Sequence, residues 1–112
     1  MEILDLETAL IYCDNDQDML KEILGSFRRI WPQVIEELRV AIAAQDALQV
    51  EKRAHFLKGR ARTIVANEVA QAAYRLEEMG EKKLLAEAPQ ALHDLTGALT
   101  RLEDHLVQNG LT

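Results

Sequence analysis

Apolar residues recur every three to four positions along most of the chain, the spacing of one face of an α-helix. The longest stripe starts near Asp16 and keeps its phase across Pro32, so we expect one kinked helix rather than two. Its members are Leu20, Ile23, Phe27, Ile30, Val34, Leu38, Ala41 and Ile42. A short helix is predicted before it, from about Asp5 to Tyr12, and the segment CDNDQD between them offers capping carboxylates.

Three further helices follow from the same periodicity. The third is predicted from about Ala47 to Ile64, the fourth from about Asn67 to Met79, and the fifth from near Pro89. Gly80 is expected to end the fourth helix, because glycine is common just beyond helix C-termini. Four apolar stripes joined by short loops predict an all-α fold, an antiparallel four-helix bundle with the short N-terminal helix capping one end.

Composition agrees with a single domain over residues 1–112. A hydrophobic fraction of 48% with 29% charged residues is typical of a folded soluble protein. The net charge of -6 argues against a nucleic-acid binder, which needs a basic face. With one cysteine, an acidic start and no apolar run of membrane-spanning length, we expect a cytoplasmic protein without membrane insertion.

The stretch AHFLKGRAR, residues 54–62, places a histidine in the only dense basic cluster of this acidic chain. If Ala54 and Leu57 face inward, the rotation of about 100° per residue points His55 roughly 135° away from the buried stripe. Gly59, one turn later, lies on the same exposed side, although a helical glycine costs about 1 kcal/mol relative to alanine. We interpret this glycine as clearance for a partner that approaches the backbone.

Phosphoryl transfer fits this arrangement. A neutral imidazole nitrogen is a nucleophile, and Lys58, one turn from His55, could stabilise the charge of an added phosphoryl group. The sequence contains no glycine-rich phosphate loop, so we expect a phosphocarrier without an ATP site of its own. Charged residues around the histidine are predicted to contact the partner: Glu51, Lys52, Arg60 and Arg62.

The segments AHFLKG and RLEEMG resemble the histidine-containing phosphotransfer (HPt) domain of bacterial multistep phosphorelays. The family motif His-x-Leu-Lys-Gly is matched by residues 55–59, and Glu77 lies where the family often has a leucine–glutamate pair. The resemblance implies that His55 accepts a phosphoryl group from an aspartyl phosphate on a response-regulator receiver domain and passes it to another receiver, in a pathway with a hybrid sensor histidine kinase. It also implies a domain that binds no cofactor or metal, with Mg²⁺ on the receiver. We further expect a monomer.

Two positions depart from the family pattern. Arg60 follows the glycine where a small residue is common, which alters the rim of the partner surface. Val65 stands where a second glycine is common, which predicts a different exit from the third helix.

Other interpretations stay open. One is a helical adaptor that binds receiver or kinase domains without being phosphorylated. A metal-binding bundle would need inward histidine and glutamate side chains, whereas His93 and His105 both fall off the leucine stripe of the fifth helix. The domain could also be one part of a larger sensor kinase.

Overall fold

The computed structural model describes residues 3–112 of the chain. Its secondary structure is entirely helical over those residues, so the predicted all-α class is confirmed. The five helices are α1 Leu6–Tyr12, α2 Gln17–Ala43, α3 Ala47–Thr63, α4 Asn67–Lys82 and α5 Ala88–Gln108. Within residues 3–112, no helix combines the length and apolar character needed to cross a lipid bilayer.

Acidic side chains determine where the first helices begin. The Asp5 carboxylate accepts the backbone N–H of Thr8 at 3.1 Å, and the Asp16 carboxylate accepts that of Met19 at 3.1 Å. These bonds satisfy donors that have no partner within the first turn of a helix. The second helix runs through Pro32 without interruption, so the predicted single helix is confirmed.

The fourth helix extends beyond its predicted end. It continues to Lys82, and Lys83 adopts the left-handed conformation at the C-cap with φ 58°. Gly80, which we expected to end the helix, is instead buried at the contact between α3 and α4. A Cβ atom at Gly80 would come 2.5 Å from the backbone nitrogen of Glu51 and 2.7 Å from the carbonyl oxygen of Ala47. The glycine is required because the two helix backbones pack closely at this point.

The four long helices form a helical bundle around one core. Both α3 and α5 contact α2 on one side and α4 on the other. Most residues of the predicted stripes are buried, as is Leu24, which the predicted stripe of α2 omitted. Four apolar positions that follow the helical spacing are only partly buried: Ile23 and Ile30 of α2, Ala47 of α3 and Leu92 of α5.

The loop between α3 and α4 contains Val65 with φ 56°. This left-handed region favours glycine and is unusual for a β-branched residue. The Val65 carbonyl accepts the backbone N–H of Asp5 at 3.1 Å, which connects the start of α1 to this loop. Val65 therefore takes the backbone conformation that glycine adopts most easily, and a different exit from α3 stays a prediction.

Candidate functional site

His55 lies on the outer face of α3. Its side chain is 68% exposed, whereas Ala54 and Leu57 on the same helix are completely buried. Beside it, a Cβ atom built at Gly59 would meet nothing within 4 Å. The outward direction predicted from helical rotation is confirmed, and the packing of this protein gives no reason for a glycine at position 59.

A carboxylate on α4 connects two residues of the motif. Glu77 Oε2 lies 2.9 Å from His55 Nδ1, and Glu77 Oε1 lies 2.5 Å from Lys58 Nζ. His55 and Lys58 are one turn apart on α3, so a single carboxylate reaches both. The contact of Glu77 with both residues was not predicted from the sequence. The position of Glu77 could have indicated a contact with α3, because it lies between the buried residues Leu76 and Gly80 at the edge of the buried face of α4.

Glu77 is ionised at neutral pH. Its side chain is only 15% exposed, and this burial raises the pKa, but the Lys58 ammonium at 2.5 Å and the hydrogen bond with His55 outweigh burial and leave the pKa of Glu77 lowered. An ionised carboxylate only accepts hydrogen bonds. The neutral imidazole of His55 therefore places its proton on Nδ1, which leaves the lone pair on Nε2. The tautomer is assigned from the hydrogen-bond partner of Nδ1, the Glu77 carboxylate.

Lys58 is a buried cation within this site. The residue is 8% exposed, and its ammonium lies between the Glu77 carboxylate and the ring of Tyr74, whose centroid is 5.2 Å from Nζ. In this structure Lys58 therefore acts on His55 through Glu77. A direct contact with a phosphoryl group, the role expected for Lys58, stays a prediction, and in this structure the ammonium is paired with the Glu77 carboxylate.

Two of the predicted partner residues lie beside the histidine. Glu51 is half-buried and Lys52 is exposed, and both line an open concavity together with His55 and Glu77. The structure thus brings these two predicted residues to the same surface as the imidazole. Their role in binding a partner stays a prediction.

Arg60 and Arg62 are exposed on α3, and neither forms a salt bridge within residues 3–112. The Arg60 guanidinium packs over the ring of Phe56, with 5.3 Å to the ring centroid. Arg53, another base of the cluster, lies 5.7 Å from the same ring and 3.5 Å from Glu37. Arg60 thus contacts Phe56 on a side of α3 that helical rotation places about 140° from His55.

The remaining histidines lie apart from this site. His93 is exposed and His105 is half-buried, both on α5. Over the described part of the chain, no three His, Cys, Asp or Glu side chains are grouped in a way that could hold a metal ion.

Comparison with known proteins agrees with this geometry. The Hpt domain family matches residues 22–105, a range that contains the motif around His55 and also Glu77. The fold is similar to the crystal structure of histidine-containing phosphotransfer protein B (HptB) from Pseudomonas aeruginosa PAO1. That similarity has a TM-score of 0.88 and 21% sequence identity, and covers 96% of this chain and 93% of the other. A search among curated proteins found no significant match. Because the family match spans most of the sequence, this chain belongs to the Hpt domain family.

Proposed function

We propose that this protein is a phosphocarrier in which His55 accepts a phosphoryl group from the aspartyl phosphate of one receiver domain and passes it to another. Membership of the Hpt family supports the class of reaction. The observation that carries the assignment is the 2.9 Å contact between His55 Nδ1 and the Glu77 carboxylate on an otherwise exposed imidazole. The four long helices would act as an antiparallel four-helix bundle that presents α3 to the partner.

The transfer uses the free nitrogen of the imidazole. The lone pair of Nε2 attacks phosphorus, so that an Nε2–P bond forms while the acyl O–P bond of the donor breaks. The aspartate carboxylate leaves with the bonding electron pair. The imidazole of His55 then carries a positive charge and keeps its proton on Nδ1, where the Glu77 carboxylate stabilises it. Transfer to the second receiver is the reverse of these steps.

The partner supplies the remaining chemistry. We expect the Mg²⁺ ion of the reaction to be bound by the receiver domain, and the ATP-dependent step to belong to a hybrid sensor histidine kinase. In this scheme the protein acts as a monomer and contributes the nucleophile, its orienting carboxylate and the surface around Gly59.

Incubation with phosphorylated receiver domains tests the proposal. The wild-type protein should acquire an acid-labile phosphoramidate, and His55→Gln should remain unlabelled. His93→Gln is the matched control, because His93 is an exposed helical histidine without a described carboxylate partner, and it should be labelled like the wild type. Labelling of His55→Gln would refute the assignment. If no phosphorylated receiver of the host labels the wild type, the adaptor interpretation is favoured.

A further inference from the structure

Tyr74 lies on α4, one turn before Glu77, and its ring is near Lys58 of α3. The Lys58 ammonium is 5.2 Å from the centroid of its ring, within the range of a cation–π interaction. The same ammonium is 2.5 Å from Glu77 Oε1. The Lys58 ammonium is therefore held by two groups, the ring of Tyr74 and the carboxylate of Glu77.

The ring of Tyr74 restricts the orientation of the Lys58 ammonium more than the Glu77 carboxylate alone could. A lysine ammonium has three donors on a flexible four-carbon stem, so one carboxylate leaves it several ways to reorient. The Lys58 side chain is only 10% exposed, and a cation–π interaction becomes stronger as the cation loses water. Tyr74 itself is 39% exposed, so its position is not explained by burial in the core.

We propose that Tyr74 is a positioning residue for the imidazole of His55. The contacts form a continuous series: the ring of Tyr74, the Lys58 ammonium, the Glu77 carboxylate and the His55 Nδ1–H group. Without the ring, Lys58 leaves Glu77 more often, and the carboxylate is then free to turn away from Nδ1. The imidazole proton can move to Nε2, the nitrogen that has to attack phosphorus. This consequence for the reaction rests on the proposed function, whereas the effect on the imidazole does not.

The tautomer of His55 measures this positioning directly. We would record ¹⁵N NMR of the imidazole at about pH 8.5, where an ordinary histidine is neutral. Tyr74→Phe keeps the aromatic face and should preserve the Nδ1–H tautomer. Tyr74→Leu should lower the ratio of Nδ1–H to Nε2–H by about two- to fivefold. This factor corresponds to roughly 0.5–1 kcal/mol, the lower end of the range for a cation–π contact, at about 1.4 kcal/mol per tenfold.

The background variant Lys58→Met separates positioning from packing. If Tyr74 acts through the ammonium, Tyr74→Leu should change the tautomer ratio only when Lys58 is present. Thermal unfolding of each variant checks that the helices remain folded. An equal change with and without Lys58 would mean that Tyr74 serves packing, and an unchanged ratio in Tyr74→Leu would overturn the proposal.

The small donor phosphoramidate reports on the reaction without a receiver. Its N–P bond breaks as the Nε2–P bond forms, and ammonia leaves. Tyr74→Leu should be labelled about two- to fivefold more slowly than the wild type, with no such difference in the Lys58→Met background. A wild-type rate in Tyr74→Leu would contradict a role in the reaction. If receivers fail to label the wild type, the proposed function fails while the tautomer measurement still decides the role of Tyr74.

Discussion

Glu77 contacts both polar side chains of the motif: one carboxylate oxygen faces His55 Nδ1 and the other faces Lys58 Nζ. Its pKa is lowered in spite of burial, so the folded protein favours the carboxylate. A group whose pKa is lower in the folded than in the unfolded state stabilises the protein at high pH. That stabilisation is lost as the pH falls through the folded value.

Replacing Glu77 by Gln should therefore lower stability in a pH-dependent way. At pH 7 we expect a loss of about 1–3 kcal/mol in the free energy of unfolding, because the buried ammonium of Lys58 loses its counter-charge. The unfolded pKa is near the ordinary value of 4.5, so the difference between wild type and variant should shrink as the pH falls below that value. Urea unfolding at several pH values measures it. A difference that stays constant down to about pH 3 would contradict the ion pair.

Gly59 permits a separate test at the residue scale. Because a Cβ atom there meets nothing within 4 Å, Gly59→Leu should retain or raise the free energy of unfolding, since leucine favours a helix by several tenths of a kcal/mol or more. Transfer from a receiver domain should nevertheless slow by about tenfold or more, the equivalent of roughly 1.4 kcal/mol of lost docking energy. Labelling by phosphoramidate, which is far smaller than a receiver, should be affected much less. Equal losses with both donors would argue against clearance for a protein partner.

The direction of His55 could be predicted from the sequence, whereas its partner could not. The rotation of about 100° per residue places the histidine outward once the apolar face of α3 is known. The contact with Glu77 depends on how α3 and α4 pack, which a helical period does not contain. For the same reason Lys58 was expected beside a phosphoryl group, and its burial against Glu77 was not predicted.

At the scale of the elements, helix starts were easier to predict than helix ends. Asp5, Asp16 and Asp46 cap their helices, because a carboxylate bonds locally to the next turn. Of these caps, Asp16 lies in the segment CDNDQD, which was predicted to supply capping carboxylates. The predicted end of α4 was wrong. Lys83 takes the left-handed conformation that glycine usually provides, while Gly80 is needed for packing three residues earlier. The sequence alone does not distinguish a glycine that ends a helix from one that lets two helices approach.

Replacement of Gly80 and of Gly59 by alanine should change the free energy of unfolding in opposite directions. Gly80→Ala places a methyl group against backbone atoms of Glu51 and Ala47, and we expect it to lower the free energy of unfolding by about 1–3 kcal/mol. Gly59→Ala meets nothing and should raise it by up to about 1 kcal/mol, the gain in helix propensity. Urea unfolding of both variants makes the comparison. Equal stabilisation by both changes would show that α3 and α4 can separate at no cost.

The distribution of charge matters at the scale of the whole molecule. The chain has a net charge of -6, yet five bases lie within residues 52–62. Two of them have carboxylate partners, since Arg53 lies near Glu37 and Lys58 near Glu77. The other three, Lys52, Arg60 and Arg62, form no salt bridge within residues 3–112. Their charge is available to attract an acidic partner surface.

Arg62 should contribute more to this attraction than Arg60. Helical rotation places Arg62 about 20° from the direction of His55 and Arg60 about 140° from it, and Arg60 is held against Phe56 on that far side. Exposed charges act mainly on the rate of encounter and are screened over about 8–10 Å at physiological salt. We therefore expect Arg62→Glu to slow transfer from a receiver more than Arg60→Glu, and both effects to shrink as salt is raised. Phosphotransfer assays quenched at set times and repeated at several salt concentrations measure these rates, and circular dichroism checks that the variants are folded. Wild-type rates in both variants at low ionic strength would mean that these arginines are ordinary solvated residues.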